Sequence, residues 1–253
     1  MRGLNSKSLL AAMGLVLCAL IAGLTVLPAR WLLLISPADA PIGLADVQGS
    51  LWEGRAWIAL GPPDSRRLLP EPLQWRVRWA RLDIEATHPW LQGPLVIAPR
   101  LDGIKISAQG LRAPAAAIAA LGAPWNTLSP GGLLDMRWQA LTLGRPMSGP
   151  VAQIRWQDAS TALSPLPRIG AYVMRIQGNG KDLTLALSTE SGVLQADGQG
   201  IANQHGVRFA GRLSYAANAD AAQRRALDGL LAMIGPRQGD AVSFGTPGAA
   251  MAP

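Results

Sequence analysis

Apolar and polar residues alternate one by one over much of the chain after about residue 43. In Leu73–Trp79 (LQWRVRW) every odd position is apolar and every even position is polar. Successive side chains of a β-strand point to opposite faces of the sheet, so this pattern predicts a strand with one buried face. Gly, Pro and Asn clusters between such segments are typical of an antiparallel meander. The alternation recurs in Leu134–Trp138, Val151–Gln157, Val173–Gln177, Leu183–Leu187 and Val207–Tyr215.

The tetrapeptide Gly178–Lys181 (GNGK) combines glycine with lysine, as phosphate-binding loops do. It lacks the GxxxxGK[ST] spacing, and no helical pattern follows it. An Asn-Gly pair between two alternating segments is instead typical of a hairpin turn in which both central residues have positive φ. We therefore predict a hairpin centred on Asn179-Gly180 and no phosphate site.

Two segments have helical patterns. Pro114–Leu121 (PAAAIAAL) begins with proline and is followed by Gly-Ala-Pro, which predicts a short helix. Ala221–Gly235 has apolar residues at the i, i+3, i+4, i+7 spacing of a buried stripe, and Asn218 or Asp220 can cap its start. We expect this helix to cover a face or an edge of the sheet. The stripe consists of Leu227, Leu230, Leu231 and Ile234.

An uncharged apolar run extends from Leu9 to Leu27, and Arg2 and Lys7 precede it. The run is close to the length of about 20 residues that a membrane-spanning helix needs, and the preceding charges place the amino end in the cytoplasm. The alternative is a cleaved signal peptide, whose apolar core usually has only about 7–15 residues. We therefore predict a retained single transmembrane anchor in residues 1–30, a periplasmic β-rich domain in 31–245 and a flexible tail in 246–253.

Composition adds little to this prediction. The chain is 49% apolar and 15% charged, which excludes a disordered protein. Its formal charge is +7, and a GC-rich coding sequence explains the many arginines as well as a functional basic surface does. Cys18 lies in the apolar run and is the only cysteine, so no intrachain disulfide can form.

A motif with two glycines and a tryptophan lies about twenty residues after the apolar run. The segment is Gln48–Ala56 (QGSLWEGRA), between two short apolar segments. Gly49 and Gly54 can adopt backbone angles that other residues reach only with strain, and Trp52 can fold over the face of the first sheet. These features favour a structural turn with a large apolar anchor over a ligand site.

The order of these features resembles the type II secretion system protein N family. In that family a G-[ST]-[LV]-W-x-G element, here Gly49–Gly54, precedes a strand with paired tryptophans, here Trp75 and Trp79. A Leu-rich helix and a glycine-bearing segment complete the family pattern, as Leu227–Gly235 and Arg237–Asp240 do here. The resemblance extends from the anchor to about residue 245. It implies an accessory inner-membrane component of the secretion machine, without enzymatic residues or cofactors. The motif residues that it marks for interaction are Gly49, Leu51, Trp52, Gly54, Trp75 and Trp79.

The same element also resembles segments of AsmA-like proteins, which are periplasmic β-rich modules tied to lipid handling or outer-membrane assembly. Two hypotheses of different classes follow. In the first, the protein is an interaction subunit that contacts other type II secretion components and the inner membrane. In the second, the β-domain is an apolar trough that binds a lipid or a lipidated segment. A solvent-reachable apolar concavity would favour the second hypothesis, and completely buried tryptophan faces would favour the first.

Catalytic and metal chemistry find little support in the sequence. His88 and His205 precede Pro and Gly in expected turns, and neither belongs to an HExxH or other metal-ligand pattern. Asp83 and Glu85 alternate on one strand face near Arg81, which favours ion pairing or simple solvation over paired acid catalysis. A hydrolase would need a convergent polar cluster that the sequence does not contain. We therefore expect no catalytic, metal-binding or cofactor-binding residues.

Arg76, Arg78 and Arg81 form the densest basic cluster. Nucleic-acid binding is disfavoured, because the other basic residues are scattered and the predicted compartment contains no nucleic acid. The cluster can face anionic lipid head groups or an acidic patch on a partner protein. An ordinary solvated strand face is the alternative.

Overall fold

The computed structural model describes residues 13–17, 23, 26–35, 40–123, 125–235 and 237–246. Strands account for 57% of this part of the chain and form two antiparallel sheets. The strands of the amino-terminal half are β1 (Ile42–Gly49), β2 (Glu53–Leu60), β3 (Arg67–Arg78), β4 (Asp83–Thr87), β5 (Leu95–Arg100), β6 (Gly103–Ile106), β7 (Gln109–Pro114) and β8 (Gly131–Trp138). The remaining strands are β9 (Leu141–Leu143), β10 (Met147–Ser160), β11 (Gly170–Gly180), β12 (Asp182–Gly192), β13 (Leu194–Asn203), β14 (Gly206–Tyr215), β15 (Arg237–Gln238) and β16 (Ala241–Gly245).

Helical elements are short, except for the carboxy-terminal helix Ala221–Ile234. The other α-helices are Leu32–Ile35 and Trp125–Leu128, and residues 13–17 and 23 are also in helical conformation. Three 3-10 helices occupy Ala29–Trp31, Pro63–Ser65 and Ala115–Leu121. The last of these is the short helix that the sequence predicts after Pro114, and it forms with 3-10 geometry.

The first sheet has seven strands in the order β1-β2-β3-β4-β5-β6-β9, and the second has nine in the order β15-β16-β14-β13-β12-β11-β10-β8-β7. Most neighbours in a sheet are also neighbours in sequence, which confirms the predicted antiparallel, mainly β fold. The chain nevertheless leaves the second sheet after β8, pairs β9 with β6, and returns to the second sheet with β10. Residues 90–92 also hydrogen-bond to β7, which connects the two sheets.

All six segments with alternating patterns lie in strands, apart from Trp79, which follows the last residue of β3. The hairpin predicted at Gly178–Lys181 also forms, between β11 and β12. Its centre is shifted by one residue, because Asn179 pairs with Asp182 and leaves Gly180-Lys181 as the two-residue loop. Of the two residues predicted to have positive φ, only Gly180 does, at 72°.

The carboxy-terminal helix covers one end of the second sheet. It starts with a capping box, in which the Gln223 backbone N–H donates to Asp220 Oδ1 (2.8 Å) and the Asp220 N–H donates to Gln223 Oε1 (3.0 Å). Three residues of the predicted stripe are buried and the fourth, Ile234, packs against them, which confirms the helix and its apolar face. The core under the helix contains Leu227, Leu230, Leu231, Tyr172, Leu194, Leu213 and Val242.

The strand registers give the molecule two different ends. We call "helix end" the one where residues 161–169 meet the carboxy-terminal helix, as in the hydrogen bond from Ser164 Oγ to the Ala226 carbonyl (3.1 Å). We call "turn end" the opposite one, where six of the connections between successive strands lie. These connections are residues 50–52, 79–82, 101–102, 144–146, 180–181 and 204–205.

A polar cluster ties the helix to the second sheet. The Tyr215 hydroxyl donates a hydrogen bond to the Asp228 carboxylate, and Arg237 Nη2 contacts Asp228 Oδ1 at 2.5 Å. Hydrogen bonds from Tyr215 and then from Arg237 lower the pKa of Asp228 below its ordinary value. A depressed carboxylate pKa contributes stability above the unfolded-state pKa, and that contribution disappears as the pH falls through the folded-state pKa.

We therefore expect D228N to flatten the acid side of the stability profile. The wild-type thermal midpoint should fall as the pH drops below about 4, the ordinary range of an aspartate pKa, and the midpoint of D228N should fall less steeply. Y215F removes the largest cause of the pKa shift and should flatten the profile in the same direction. Thermal unfolding followed by circular dichroism across this pH range measures both slopes, and identical slopes in all three proteins would contradict this account of Asp228.

The predicted anchor in residues 1–30 lies mostly outside the described residues. In the part of the chain that the structure describes, no helix is both long and apolar enough to cross a membrane. Residues 247–253 of the predicted tail also lie outside that part. Thr246, assigned to the tail by the sequence, is hydrogen-bonded to Phe209 through its backbone N–H (2.8 Å) and its hydroxyl.

Candidate functional site

The Gly49–Gly54 motif forms the hairpin between β1 and β2. Gly49 and Gly54 are the last paired residues, and the Ser50 hydroxyl accepts hydrogen bonds from the N–H groups of Trp52 (3.3 Å) and Glu53 (3.1 Å). Gly49 has φ of 90°, and a Cβ there would lie 2.5 Å from the Glu53 carbonyl oxygen. Only glycine fits this position without strain.

Gly54 is required for a different reason. Its φ is not positive, in contrast to the expectation that both glycines supply unusual backbone angles. A Cβ at this position would lie 2.5 Å from the Gln48 carbonyl oxygen and 2.5 Å from Cζ2 of Trp75. The absent side chain therefore allows the Trp75 ring of β3 to pack against the backbone of β2.

The backbone of the hairpin joins three parts of the chain. The Leu51 N–H donates to the carbonyl of Leu27, the last residue of the apolar run, at 2.9 Å. The Leu51 carbonyl accepts a hydrogen bond from Trp75 Nε1 (3.1 Å), and the Trp52 carbonyl accepts one from the Val77 N–H (2.6 Å). The motif thus attaches the end of the predicted anchor to β1 and β3.

The two remaining aromatic residues of the motif pack against each other in a tilted arrangement. The ring centroids of Trp52 and Trp79 are 4.6 Å apart, at an interplanar angle of 53°. Trp52 is half-buried, whereas Trp79 is 58% exposed. The structure therefore brings all six residues marked by the sequence into one cluster. Five of them build the hairpin and its contact with β3, and Trp79 presents most of its ring to solvent.

The basic cluster next to this hairpin is partly neutralised. Arg76 forms an ion pair with Glu53 at 2.7 Å. Arg78 donates hydrogen bonds to the Asp83 carboxylate from two of its nitrogens and forms a further ion pair with Glu85. The hydrogen bonds from Arg78 are the main cause of the lowered pKa of Asp83. The predicted ion pairing of Asp83 and Glu85 is confirmed, with Arg78 rather than Arg81 as the direct partner.

The histidines have structural surroundings. His88 is buried, with Nε2 3.1 Å from the Glu71 carbonyl oxygen and Nδ1 accepting the Trp90 N–H. His205 is exposed in the loop between β13 and β14. Among the residues that the structure describes, no three His, Cys, Asp or Glu side chains are grouped so that they could hold a metal ion.

The second sheet carries a continuous apolar row on the face that holds Tyr172. On β12 the row consists of Leu183, Leu185 and Leu187, which are half-buried. Their partners on β11 include Ile176 and Met174, also half-buried. At the turn end the row reaches an open cavity of about 400 Å³. The cavity is lined by Arg145, Met147, Lys181, Leu183, Ala202 and Asn203, among others.

Two exposed leucines at the turn end were missed by the sequence analysis. Leu82, in the β3–β4 turn, is 69% exposed, and Leu101, in the β5–β6 turn, is fully exposed. Each directly follows an arginine, Arg81 or Arg100, in a connection that the strand pattern leaves polar. The repeated tripeptide Arg-Leu-Asp, with an apolar residue in a short connection, is the signal that could have identified them.

Leu82 also has an unfavourable backbone conformation, with φ of 50°. A left-handed conformation costs a residue with a Cβ about 1–2 kcal/mol, whereas glycine adopts it freely at an entropic cost of about 0.5–1 kcal/mol. We therefore expect L82G to increase the free energy of unfolding by about 0.5–1 kcal/mol. L82A keeps the Cβ and should not, so a urea titration that finds the two variants equal would contradict this explanation.

A known protein family matches the part of the chain that contains these strands. The family model described as "Type II secretion system (T2SS), protein N" matches residues 40–244, which include the carboxy-terminal helix and the described strands, except for the last residue of β16. The comparison with curated proteins finds no significant match, and neither does the comparison with solved structures. Because the family model covers most of the chain, this protein belongs to the type II secretion system protein N family.

Proposed function

We propose that the protein is an accessory, non-catalytic component of type II secretion. It is held at the inner membrane by a single anchor in residues 1–30 and acts through a periplasmic β-domain that contacts other components of the machine. The observation that carries this proposal is the family match over residues 40–244. The anchor position rests on the uncharged run from Leu9 to Leu27 and on the charges that precede it.

The hairpin geometry supports an interaction role for the β-domain. The Leu51–Leu27 hydrogen bond holds the β1–β2 hairpin directly against the residue that ends the apolar run. A bond at this position restricts the motion of the β-domain relative to the end of the run, and restricted motion reduces the entropy that is lost when a partner binds. The attachment is made by backbone atoms of the motif, and the Ser50 hydroxyl is used to hold the hairpin turn.

Chemical crosslinking in intact cells tests this proposal. The full chain carries an affinity tag after Pro253, and crosslinked species are purified and identified by mass spectrometry. We expect other type II secretion components in the captured set. G54A, which disturbs the hairpin, should reduce their capture, and G229A, at an open position on the helix, should not. Efficient recovery of the tagged protein without any secretion component would remove the assignment.

The half-buried apolar row favours a second candidate function, the binding of a lipid or a lipidated segment. The row extends over several strands and ends at the cavity lined by Met147 and Leu183. A row of leucine and isoleucine side chains that keeps contact with solvent is suited to bind an acyl chain.

Native mass spectrometry of the detergent-extracted full chain separates the two candidates, because bound lipid and bound protein are measured together. A lipid-binding domain should retain one or more lipid masses. L185K places a charge in the apolar row and should remove them, whereas A186K, on the opposite and exposed face of β12, should not. Absence of lipid in the wild-type protein would leave only the interaction role.

A further inference from the structure

Apolar side chains at the turn end point to a second contact between the β-domain and its surroundings. Trp79, Leu82 and Leu101 lie in the β3–β4 and β5–β6 turns and are 58%, 69% and 111% exposed. Hairpin turns of soluble domains usually contain polar residues, since these positions face water. Three large exposed apolar side chains in two neighbouring turns therefore indicate a contact surface.

The backbone of one of these turns supports this interpretation. Leu82 occupies the left-handed region, where glycine or asparagine is common and leucine is strained. Strained residues cluster at sites where the side chain has a role in function. Leu82 lowers the stability of the isolated domain. Such a cost is expected if the Leu82 side chain contacts a partner outside the domain.

The charges around these side chains define the chemistry of the contact. Arg81, Arg100 and Lys181 are exposed at the turn end, and they form no ion pair within the described residues. Nearby acids are paired, Glu53 with Arg76, Asp102 with Arg145, and both Asp83 and Glu85 with Arg78. Asp182, beside Lys181, is half-buried. The three exposed bases outnumber the two remaining carboxylates, Asp182 and the second carboxylate at Arg78, so the charge presented with the apolar side chains is positive on balance and complements an anionic surface.

The connection to the apolar run decides which anionic surface is present. The Leu51 N–H bonds to the Leu27 carbonyl, and Pro28 pairs with Ser50, so the chain leaves the uncharged run directly at the turn end. If the run from Leu9 to Leu27 spans a bilayer, the turn end lies next to the head groups. Tryptophan, leucine and arginine together are the residues that enter such an interface.

We propose that the turn end rests on the anionic surface of the membrane that holds the anchor, with Trp79, Leu82 and Leu101 inserted among the head groups. This inference rests on the anchored location under the proposed function and adds a lipid partner for the β-domain itself. Arg81, Arg100 and Lys181 contact the anionic head groups. The contact sets the open cavity between β10, β11 and β13 close to the bilayer.

A fluorescent label in the full-length protein tests this contact. In a C18S background, L101C carries an environment-sensitive label at the turn end, and L68C carries the same label on an exposed leucine at the opposite end of β3. The proteins are reconstituted into vesicles of phosphatidylcholine with phosphatidylglycerol that also contain a spin-labelled quencher lipid. We expect blue-shifted and quenched emission at position 101, and emission typical of water at position 68.

Charge variants and lipid composition add an independent readout. Each of R81Q and R100Q should lower the ratio of membrane-docked to undocked label about fivefold, the factor that corresponds to about 1 kcal/mol per arginine at an anionic surface. Vesicles of phosphatidylcholine alone should lower the ratio in the wild-type background as well. Labels at 101 and 68 that behave alike in both vesicles would overturn the proposal.

A photo-crosslinker in place of Leu101 distinguishes lipid from protein in cells. Lipid adducts are expected, and exclusive crosslinking to a protein partner would overturn the inference. Failure of this inference is separable from failure of the proposed function. If the label at position 101 stays in water while the tagged protein still captures secretion components, only the membrane contact of the turn end is wrong.

Discussion

Replacing Leu231 with alanine should lower the free energy of unfolding by about 3 kcal/mol, because the substitution leaves a cavity in the hydrophobic core under the carboxy-terminal helix. Leu231 is 1% exposed and lies in the core formed by the carboxy-terminal helix and the second sheet. A loss of this size is a large fraction of the roughly 5–15 kcal/mol that stabilises a typical domain. Urea titration followed by circular dichroism measures it.

Met233 provides the matched control on the same helix. It is 50% exposed, so M233A removes a side chain of similar size from the surface and should change the stability by no more than about 0.5 kcal/mol. Equal losses in L231A and M233A would mean that the helix is not packed on the sheet as described. In that case the core would have to lie elsewhere.

The second large effect is expected at the β1–β2 hairpin. G54A places a methyl group 2.5 Å from both the Gln48 carbonyl oxygen and the Trp75 ring, and one of these contacts is rigid backbone. Overpacking of this kind costs about 1–3 kcal/mol, and the cost should be near the upper limit here. The variant should therefore unfold at lower urea concentration, and the fluorescence of Trp75 should change.

A glycine-to-alanine substitution on the carboxy-terminal helix should have the opposite effect on the free energy of unfolding. Gly229 lies on the exposed side of the carboxy-terminal helix, and nothing lies within 4 Å of a Cβ built on it. G229A should stabilise the protein by up to about 1 kcal/mol, because alanine favours the helix. If G54A were neutral, the close approach of Trp75 to the β2 backbone would not be real.

The local part of this fold could be predicted from the sequence because its signals are local. Alternation in Leu183–Leu187 needs only the geometry of a single strand, and the stripe from Leu227 to Ile234 needs only the helical repeat. The hairpin between β11 and β12 was predicted with its centre one residue too early. Both Asn179-Gly180 and Gly180-Lys181 satisfy the local preference for glycine, and the pairing of the whole strands selects the second.

The partition into two sheets could not be predicted in the same way. β9 has only three residues, Leu141–Leu143, and its pairing with β6 is determined by contacts distant in sequence. The bond between residues 90–92 and β7 is equally non-local. The partners of charged residues depend on such pairings too. The registry of β3 with β4 brings Arg78 directly opposite Asp83, and for this reason Arg78 rather than Arg81 holds that carboxylate.

The candidate site was partly accessible to sequence reasoning. The six motif residues were identified from their order in the chain, and the structure brings them together around the β1–β2 hairpin. The sequence did not reveal that the hairpin is bonded to Leu27, or that the turns with Leu82 and Leu101 share its end of the sheet. These relations depend on strand direction and registry, which follow only from the assembled sheet. An interaction role for the motif residues remains a prediction.

The most direct test of the secretion assignment is the amount of a type II substrate that reaches the medium when this protein is deleted. The full chain, G54A and G229A are each returned to the deletion strain, and a protein exported by another route serves as the reference. We expect the deletion to retain the type II substrate in the cell, and the full chain and G229A to restore its release. G54A should restore it poorly. Unchanged release from the deletion strain would contradict the assignment to type II secretion.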